Sequence, residues 1–422
     1  MLIHSASQLL TLSGGPQRGT TLGELNLLPD GAVLTHGERI VEVGQSSDLL
    51  ARHPHETLLD AGGRVVMPGF VDPHTHLIFA GDRAMEFEQR LQGKSYLEIL
   101  ASGGGILSTV KATRAASASQ LTGLLRQRAR QLLRLGTTTA EVKTGYGLEL
   151  DSEIAQLMVI AEFSDPLSPD LVPTFLPAHA IPPEYKGDSA GYTRLVMDGM
   201  LPQAKDLWQQ RFPGRPLPFV DVFCERGAFT LEESRLILSR AAALGFPLKI
   251  HADEFENLGG ASLAAELGAA SADHLVCTSP ADIHTLAGSQ TIAVSLPCTP
   301  FGLGETAYTP ARDILKAGGL LALASDFNPG TAWSGNMQFV LALACRYLKL
   351  TPAQAIAAAT INAAAAIQRD DSIGSLEPGK LAHLLILDTD DYRQLGYRFG
   401  ANLVTTVIKN EQVISNPEDA GC

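Results

Sequence analysis

The chain has 422 residues, 45% hydrophobic and 18% charged, so it can bury a large core, and low-complexity disorder and collagen-like repeats are excluded. Thirty-two Lys and Arg against 45 Asp and Glu give a net charge of −13. With no run of basic residues, nucleic acid is not an expected partner, because phosphate neutralisation needs a clustered basic face; a small anionic substrate needs only a few local cations.

Residues 1–65 read as short β-strands, with a hairpin turn at His36-Gly37-Glu38 inside GAVLTHGERIVEVG. The far end has the same texture in LAHLLILDTD (381–390) and NLVTTVIKNEQVI (402–414). Neither end has enough strands to close a core alone. Residues 1–65 plus 372–422 are therefore expected to form one composite β-sandwich domain, interrupted by a barrel over 66–371.

Within that interval, apolar strand-like runs alternate with helical stretches. GGRVVMPGFVDPHTHL comes first, and a periodic helix over 120–136 leads into TTTAEV. LVPTFLPAH, FVDVFCE, PLKIHADEF, SADHLV, TIAVSLPC and LLALASDF follow, and the Ala-rich stretch 352–367 reads as one buried closing helix. Eight apolar strands separated by helices imply parallel strands covered by helices. Phe70 to Asp326 is about 250 residues, the length of one (β/α)8 barrel of the TIM type. An open doubly wound sheet lacks its Gly-x-Gly-x-x-Gly after the first strand. The fold class is α/β.

Polar residues cluster where these strands end: His74 and His76 on the first, His179 on the third, Glu225 on the fourth, His251 on the fifth, His274 on the sixth and Asp326 on the eighth. In a parallel barrel those ends meet at one mouth, where active sites are built. His74 and His76 are spaced i, i+2, so both imidazoles face one side of an extended chain. Two inward histidines on an apolar strand need a shared partner, which a metal supplies. Together with His251 and Asp326 they give three nitrogens and one carboxylate, a set that suits one Zn or Fe with an open position for water.

PGFVDPHTHLIFAGDR, HADEF, DH and ASDFNPGT, in this order, resemble the metal-dependent amidohydrolase superfamily, as does GSLEPGKLAHLLILD, where His383 stands in place of the usual Asp. Within the superfamily, HTHLIFAGDRAMEFEQRLQGKSYLEI, GGGI, EVKTGYGL, PTFLPAHAIPPEY, HADEF and SDFNPGTAW resemble the imidazolonepropionase family over most of the barrel. The resemblance implies a metal on His74, His76, His251 and Asp326. It implies substrate contacts from Arg83, Tyr146, His179, Glu254, Asn328, Gly330 and Thr331, and hydrolytic opening of 4-imidazolone-5-propanoate to N-formimino-L-glutamate. A homodimer is the family's expectation.

Asp326 can ligate through one oxygen and take the water's proton through the other. Glu254 can relay a proton to the ring nitrogen. His274 can hydrogen-bond either the attacked carbonyl or the attacking water. Arg83, in the loop after the first strand, is the candidate carboxylate anchor, against a plain surface ion pair with Asp82 or Glu86. Lys143 ends the second strand, but the carboxylated lysine of two-metal relatives belongs after the fourth, which here reads Cys224-Glu225-Arg226; one metal is expected. Glu225 reads as a structural ion pair near Arg226 in preference to a second metal ligand, and Gly103-Gly104-Gly105 as a loop at the mouth. A nucleobase deaminase would share His251, Glu254, His274 and Asp326, but would have no use for Arg83. A non-catalytic relative would lose the metal ligands, and this chain keeps all four.

Cys224, Cys277, Cys298, Cys345 and Cys422 form no C-x-x-C pair, so neither a disulfide framework nor a zinc ribbon is expected. The start lacks the basic region of a secretory signal, and no apolar run reaches the ~18 residues of a membrane span. A cytoplasmic protein is expected.

Overall fold

A computed structural model of the chain describes residues 1–94 and 104–415. Two sheets organise it. The first takes strands from both ends: β1 (Leu2–Leu10), β2 (Leu27–His36), β3 (Arg39–Gln45), β4 (Leu58–Asp60) and β5 (Val65–Pro68). The second is the barrel: β6 (Phe70–Asp72), β7 (Thr137–Lys143), β8 (Asp170–Ala178), β9 (Phe219–Cys224), β10 (Lys249–Ala252), β11 (Ser271–His274), β12 (Ile292–Ser295) and β13 (Leu321–Leu323). The chain then returns to the first sheet through β14 (Leu384–Leu387), β15 (Val404–Lys409) and β16 (Gln412–Ser415).

The composite β domain expected from the two ends is present, hydrogen-bonded as one mixed sheet. Its order is β16-β15-β14-β5-β1-β2-β3, with β4 also paired to β1. β14 pairs antiparallel with β5, and this single seam joins the C-terminal strands to the N-terminal ones. The β2–β3 hairpin turns at Gly37, whose φ of 60° is the left-handed conformation that glycine adopts without a Cβ clash.

The barrel strands pair in sequence order, all parallel. Closure comes just beyond the strand ends, where Thr75 bridges Phe327 in parallel and the Asp326 N–H donates to the His74 carbonyl at 3.1 Å. Below that point Asp72 Oδ1 accepts from the Ser325 N–H at 3.0 Å and Oδ2 from its hydroxyl at 2.5 Å. Burial pushes the Asp72 carboxyl up to about 7.

Ala118–Arg134 shows why the covering helices form. Ser117 and Gln120 cap its start reciprocally, the Ser117 hydroxyl accepting from the Gln120 N–H and the Gln120 amide oxygen from the Ser117 N–H. Leu121, Leu125, Leu132 and Leu133 then line one buried face. The closing segment differs from expectation: it breaks into Pro352–Ala358 and Ile361–Ala366. The Ala359 carbonyl accepts from the Val71 N–H of β6, while the Asn362 amide donates to the carbonyls of Gln17 and Leu321. The helix gives up a turn to serve the bottom of the barrel. One hydrophobic core holds residues from both units, including Met67, Leu385 and Val404 beside Phe70 and Leu133.

Candidate metal centre and active site

The strand-end residues do converge. Nε2 of His74 and Nε2 of His76 lie 3.3 Å apart, and Nε2 of His76 and Nε2 of His251 lie 3.4 Å apart. Asp326 Oδ1 stands 3.5 Å from His74 Nε2 and 3.6 Å from His76 Nε2. Thr75, between the two histidines, turns the other way and donates its hydroxyl to the Glu141 carbonyl, as the i, i+2 spacing requires. Four lone-pair atoms at such separations gain little from one another. A tetrahedral ion with bonds of ~2.0–2.1 Å, however, would place its ligands about 3.3–3.4 Å apart, so the cluster fits one metal. Burial, then Lys143 and the neighbouring histidines, holds the His74 and His76 imidazoles well below the usual histidine range, which favours the neutral form that ligates.

Three of the four candidate ligands, His74, His251 and Asp326, meet on their far side a group that the motif reading missed, whereas His76 Nδ1 has no hydrogen-bond partner among the described residues. His74 Nδ1 donates to Asp273 Oδ2 at 2.6 Å, which turns Nε2 toward the cluster. His251 Nδ1 stands 3.0 Å from Asp221 Oδ2, outside strict hydrogen-bond alignment. Burial raises the Asp221 carboxyl, but His251 and Lys143 outweigh it and leave it well below the usual carboxylate range. The hydroxyl of Thr299, on the helix Cys298–Leu303, donates to Asp326 Oδ2. Burial raises Asp326 to about 6.

Around the cluster stand the other candidates. His274 has a φ of 77° and Asp326 one of 54°, strained values for side-chain-bearing residues, both at the mouth. Nε2 of His274 is 3.7 Å from Glu254 Oε2. Burial, then the Asp326 and Glu225 charges, pushes the Glu254 carboxyl well above its usual value. His179 stacks on His76, with ring centres 4.9 Å apart and planes 14° apart. Its Nδ1 donates to the Gly145 carbonyl at 3.0 Å, leaving Nε2 as an acceptor, and burial holds the ring down to about 3. The Tyr146 ring is 5.3 Å from that of His179. The loop carrying it is threaded onto buried Glu153, whose carboxylate accepts from the N–H groups of Gly145, Gly147 and Leu148.

Arg83 lies at the rim. Its Nε donates to Glu86 Oε2 at 3.0 Å, so the surface-type pair weighed against the anchor role is present. Its Nη1 nevertheless lies across Gly330, where a Cβ would come within 2.5 Å of it. Arg83, Arg90, Gly330, Thr331, Trp333 and Gly302 help line a cavity of about 370 Å³. Asn328 spends its amide on that wall: the oxygen accepts from the N–H groups of Gly330 and Thr331, and the nitrogen donates to the Asp326 carbonyl and Thr331 Oγ1. Glu225 is neither a ligand of the cluster nor the ion-pair partner of Arg226, which reaches Glu256 instead. Its carboxylate accepts from the N–H groups of Arg226, Phe255 and Glu256, pinning the turn that carries Glu254. Gly103 of the glycine run and Cys422 lie outside the described residues.

Residues 57–102 and 225–414 match models of the amidohydrolase family, and residues 31–55 match the imidazolonepropionase-like composite domain of bacteria. With 98% of this chain aligned, an adenosine deaminase from Xanthomonas campestris with bound zinc superposes at a TM-score of 0.69 and 20% identity, over 92% of its own length. The 5-methylcytosine deaminase of Klebsiella pneumoniae superposes at 0.69 and 18%, over 98% of each chain. Barrel, composite sheet and convergent histidines define the class: a metal-dependent amidohydrolase. Two curated relatives narrow it. The imidazolonepropionase of Herpetosiphon aurantiacus is 49% identical over 98% of this chain and 96% of its own, and that of Chloroflexus aggregans is 49% identical over 99% of both. The chain belongs to the imidazolonepropionase family.

Proposed function

We propose that the protein hydrolyses 4-imidazolone-5-propanoate to N-formimino-L-glutamate, with one Zn or Fe held by His74, His76, His251 and Asp326. The observation that carries this reading is that Nε2 of His74, Nε2 of His251 and Oδ1 of Asp326 lie 3.3–3.6 Å from Nε2 of His76, while Asn328 ties Asp326 to the Gly330 wall that Arg83 touches. When bound, the metal makes water a competent nucleophile near neutral pH. Asp326, which keeps Oδ2 on the Thr299 hydroxyl, accepts the proton released by that water. Glu254, whose burial raises its carboxyl and favours the protonated form, gives a proton to the departing ring nitrogen. His274 donates a hydrogen bond toward the reacting oxygen and steadies the charge that develops there.

Arg83 holds the propionate through its guanidinium, with the Tyr146 hydroxyl beside it and His179 Nε2 accepting from the ring. Gly330 and Thr331 form the facing wall, and Asn328 keeps that wall in shape. The same reading takes the enzyme as a cytoplasmic homodimer. Loss of substrate ultraviolet absorbance with purified protein tests the activity, with cytosine and guanine run beside it. Turnover of a nucleobase instead would replace the reading with a deaminase. Elemental analysis should find one transition metal per chain, and His76→Ala should remove metal and activity together. Two metals, or none in active protein, would overturn the ligand assignment.

A further inference from the structure

Lys143 ends β7 and is fully buried beneath the metal cluster. Among the described residues its ammonium meets carboxylates alone: Nζ lies 2.6 Å from Glu141 Oε1, 2.8 Å from Asp221 Oδ2 and 3.8 Å from Asp273 Oδ2. Each of those carboxylates also faces a histidine segment. The Asp221 oxygen that meets Lys143 is the one 3.0 Å from His251 Nδ1. The Asp273 oxygen nearest Lys143 is the one that accepts from His74 Nδ1 at 2.6 Å. Glu141 Oε2 accepts from the N–H of Thr75, at 3.3 Å, between His74 and His76.

The other buried lysine gives a contrast. Lys249 also reaches Asp273, at 3.7 Å, but its hydrogen bonds go to the carbonyls of Pro73 and Ala366 at 3.0 and 3.4 Å. It acts as a plug between backbone segments. The Lys143 ammonium has no such bond to a backbone carbonyl among the described residues. A carboxylated Lys143 is also ruled out, since a carbamate would bring a negative charge against three carboxylates.

We propose that Lys143 is a positioning residue for the metal centre: one ammonium holds the carboxylates that orient His251 and His74 and that tie down the backbone between His74 and His76. The inference rests on the ligand assignment above. Without the Lys143 ammonium, Asp221 and Glu141 lose the cation they share in a dry interior and Asp273 keeps only Lys249, and the imidazoles that Asp221 and Asp273 face lose a fixed direction. Groups that orient metal-bound histidines typically contribute 10- to 100-fold in metal affinity.

Co²⁺ added to metal-free protein is the probe, because its visible spectrum reports ligand geometry directly. Lys143→Met, checked for folding by circular dichroism, should bind Co²⁺ about tenfold more weakly in chelator competition, with a shifted visible band. Wild-type affinity and band in folded Lys143→Met would refute the inference. His251→Ala separates the two readings: unimpaired Co²⁺ binding there would sink the ligand assignment itself. If Lys143→Met does not fold, Asp221→Asn and Asp273→Asn each cut one arm with the lysine in place. Both must then shift the Co²⁺ band, and an unshifted band in either overturns the inference.

Discussion

Glu254 follows His251 by three residues but is not among the groups that crowd His76. Its neighbours are fixed instead: Asp253, at a φ of 53°, accepts from Thr278 on one side, and Glu225 gathers the N–H groups of Phe255 and Glu256 on the other. A buried carboxyl on so rigid a turn, raised well above its usual value, suits proton delivery rather than ligation. Glu254→Gln should therefore keep its metal and lose turnover by the ~10² to 10⁴ that acid–base catalysis supplies. Metal loss on elemental analysis would place it among the ligands. His74, His76, His251 and Asp326 were legible because each interrupts an apolar run at a strand's end. Asp221 and Asp273 interrupt apolar runs too, in FVDVFC and SADH, but inside the strands, where spacing alone does not separate an orienting carboxylate from a structural one. Thr299 left no signal: a threonine after Pro297-Cys298 becomes a partner of Asp326 only once two distant segments meet.

Elements were easier to read in kind than in detail. Eight strands and their order follow from the alternation of apolar runs with helices. The break in the closing segment does not, because Ala-rich sequence favours one helix and the demand that breaks it comes from Val71 and Gln17, about 300 residues away in the chain. The segment Asn328–Thr331 shows the same dependence on a local hub. The Asn328 side chain satisfies two backbone N–H groups there, and Arg83 lies flat on Gly330. Asn328→Ala leaves those donors without their acceptor, which should lower stability by about 1–3 kcal/mol and raise KM, with metal content intact. An unchanged KM in a destabilised variant would show that this wall does not meet the substrate.

The sheet and the barrel are joined at several places, among them Gly69, whose N–H donates to the His383 carbonyl, and the core shared by Leu385, Val404 and Phe70. His383 marks this seam and departs from the aspartate usual in the motif. Its ring is buried beside Asp170 of β8, with Lys409 of β15 and Asn410 around it; Nε2 is 3.8 Å from Asp170 Oδ2, which Lys409 approaches through the other oxygen at 2.6 Å. Neither ring nitrogen makes a well-aligned hydrogen bond among the described residues. Burial brings the ring down to about 4, with Asp170 opposing and Lys409 assisting. The sign follows from proton binding: between about pH 6.5 and 4 the unfolded chain takes up a proton at this site and the folded chain does not, so stability falls as pH falls through that window. At pH 5 the deficit is about 2 kcal/mol for a shift of this size. His383→Asn removes the titrating group, so its stability relative to wild type, from urea unfolding at pH 7 and pH 5, should improve at the lower pH by roughly that amount. Parallel losses in the two proteins would mean that the seam already accepts a charged imidazole, with Asp170 as its counterion.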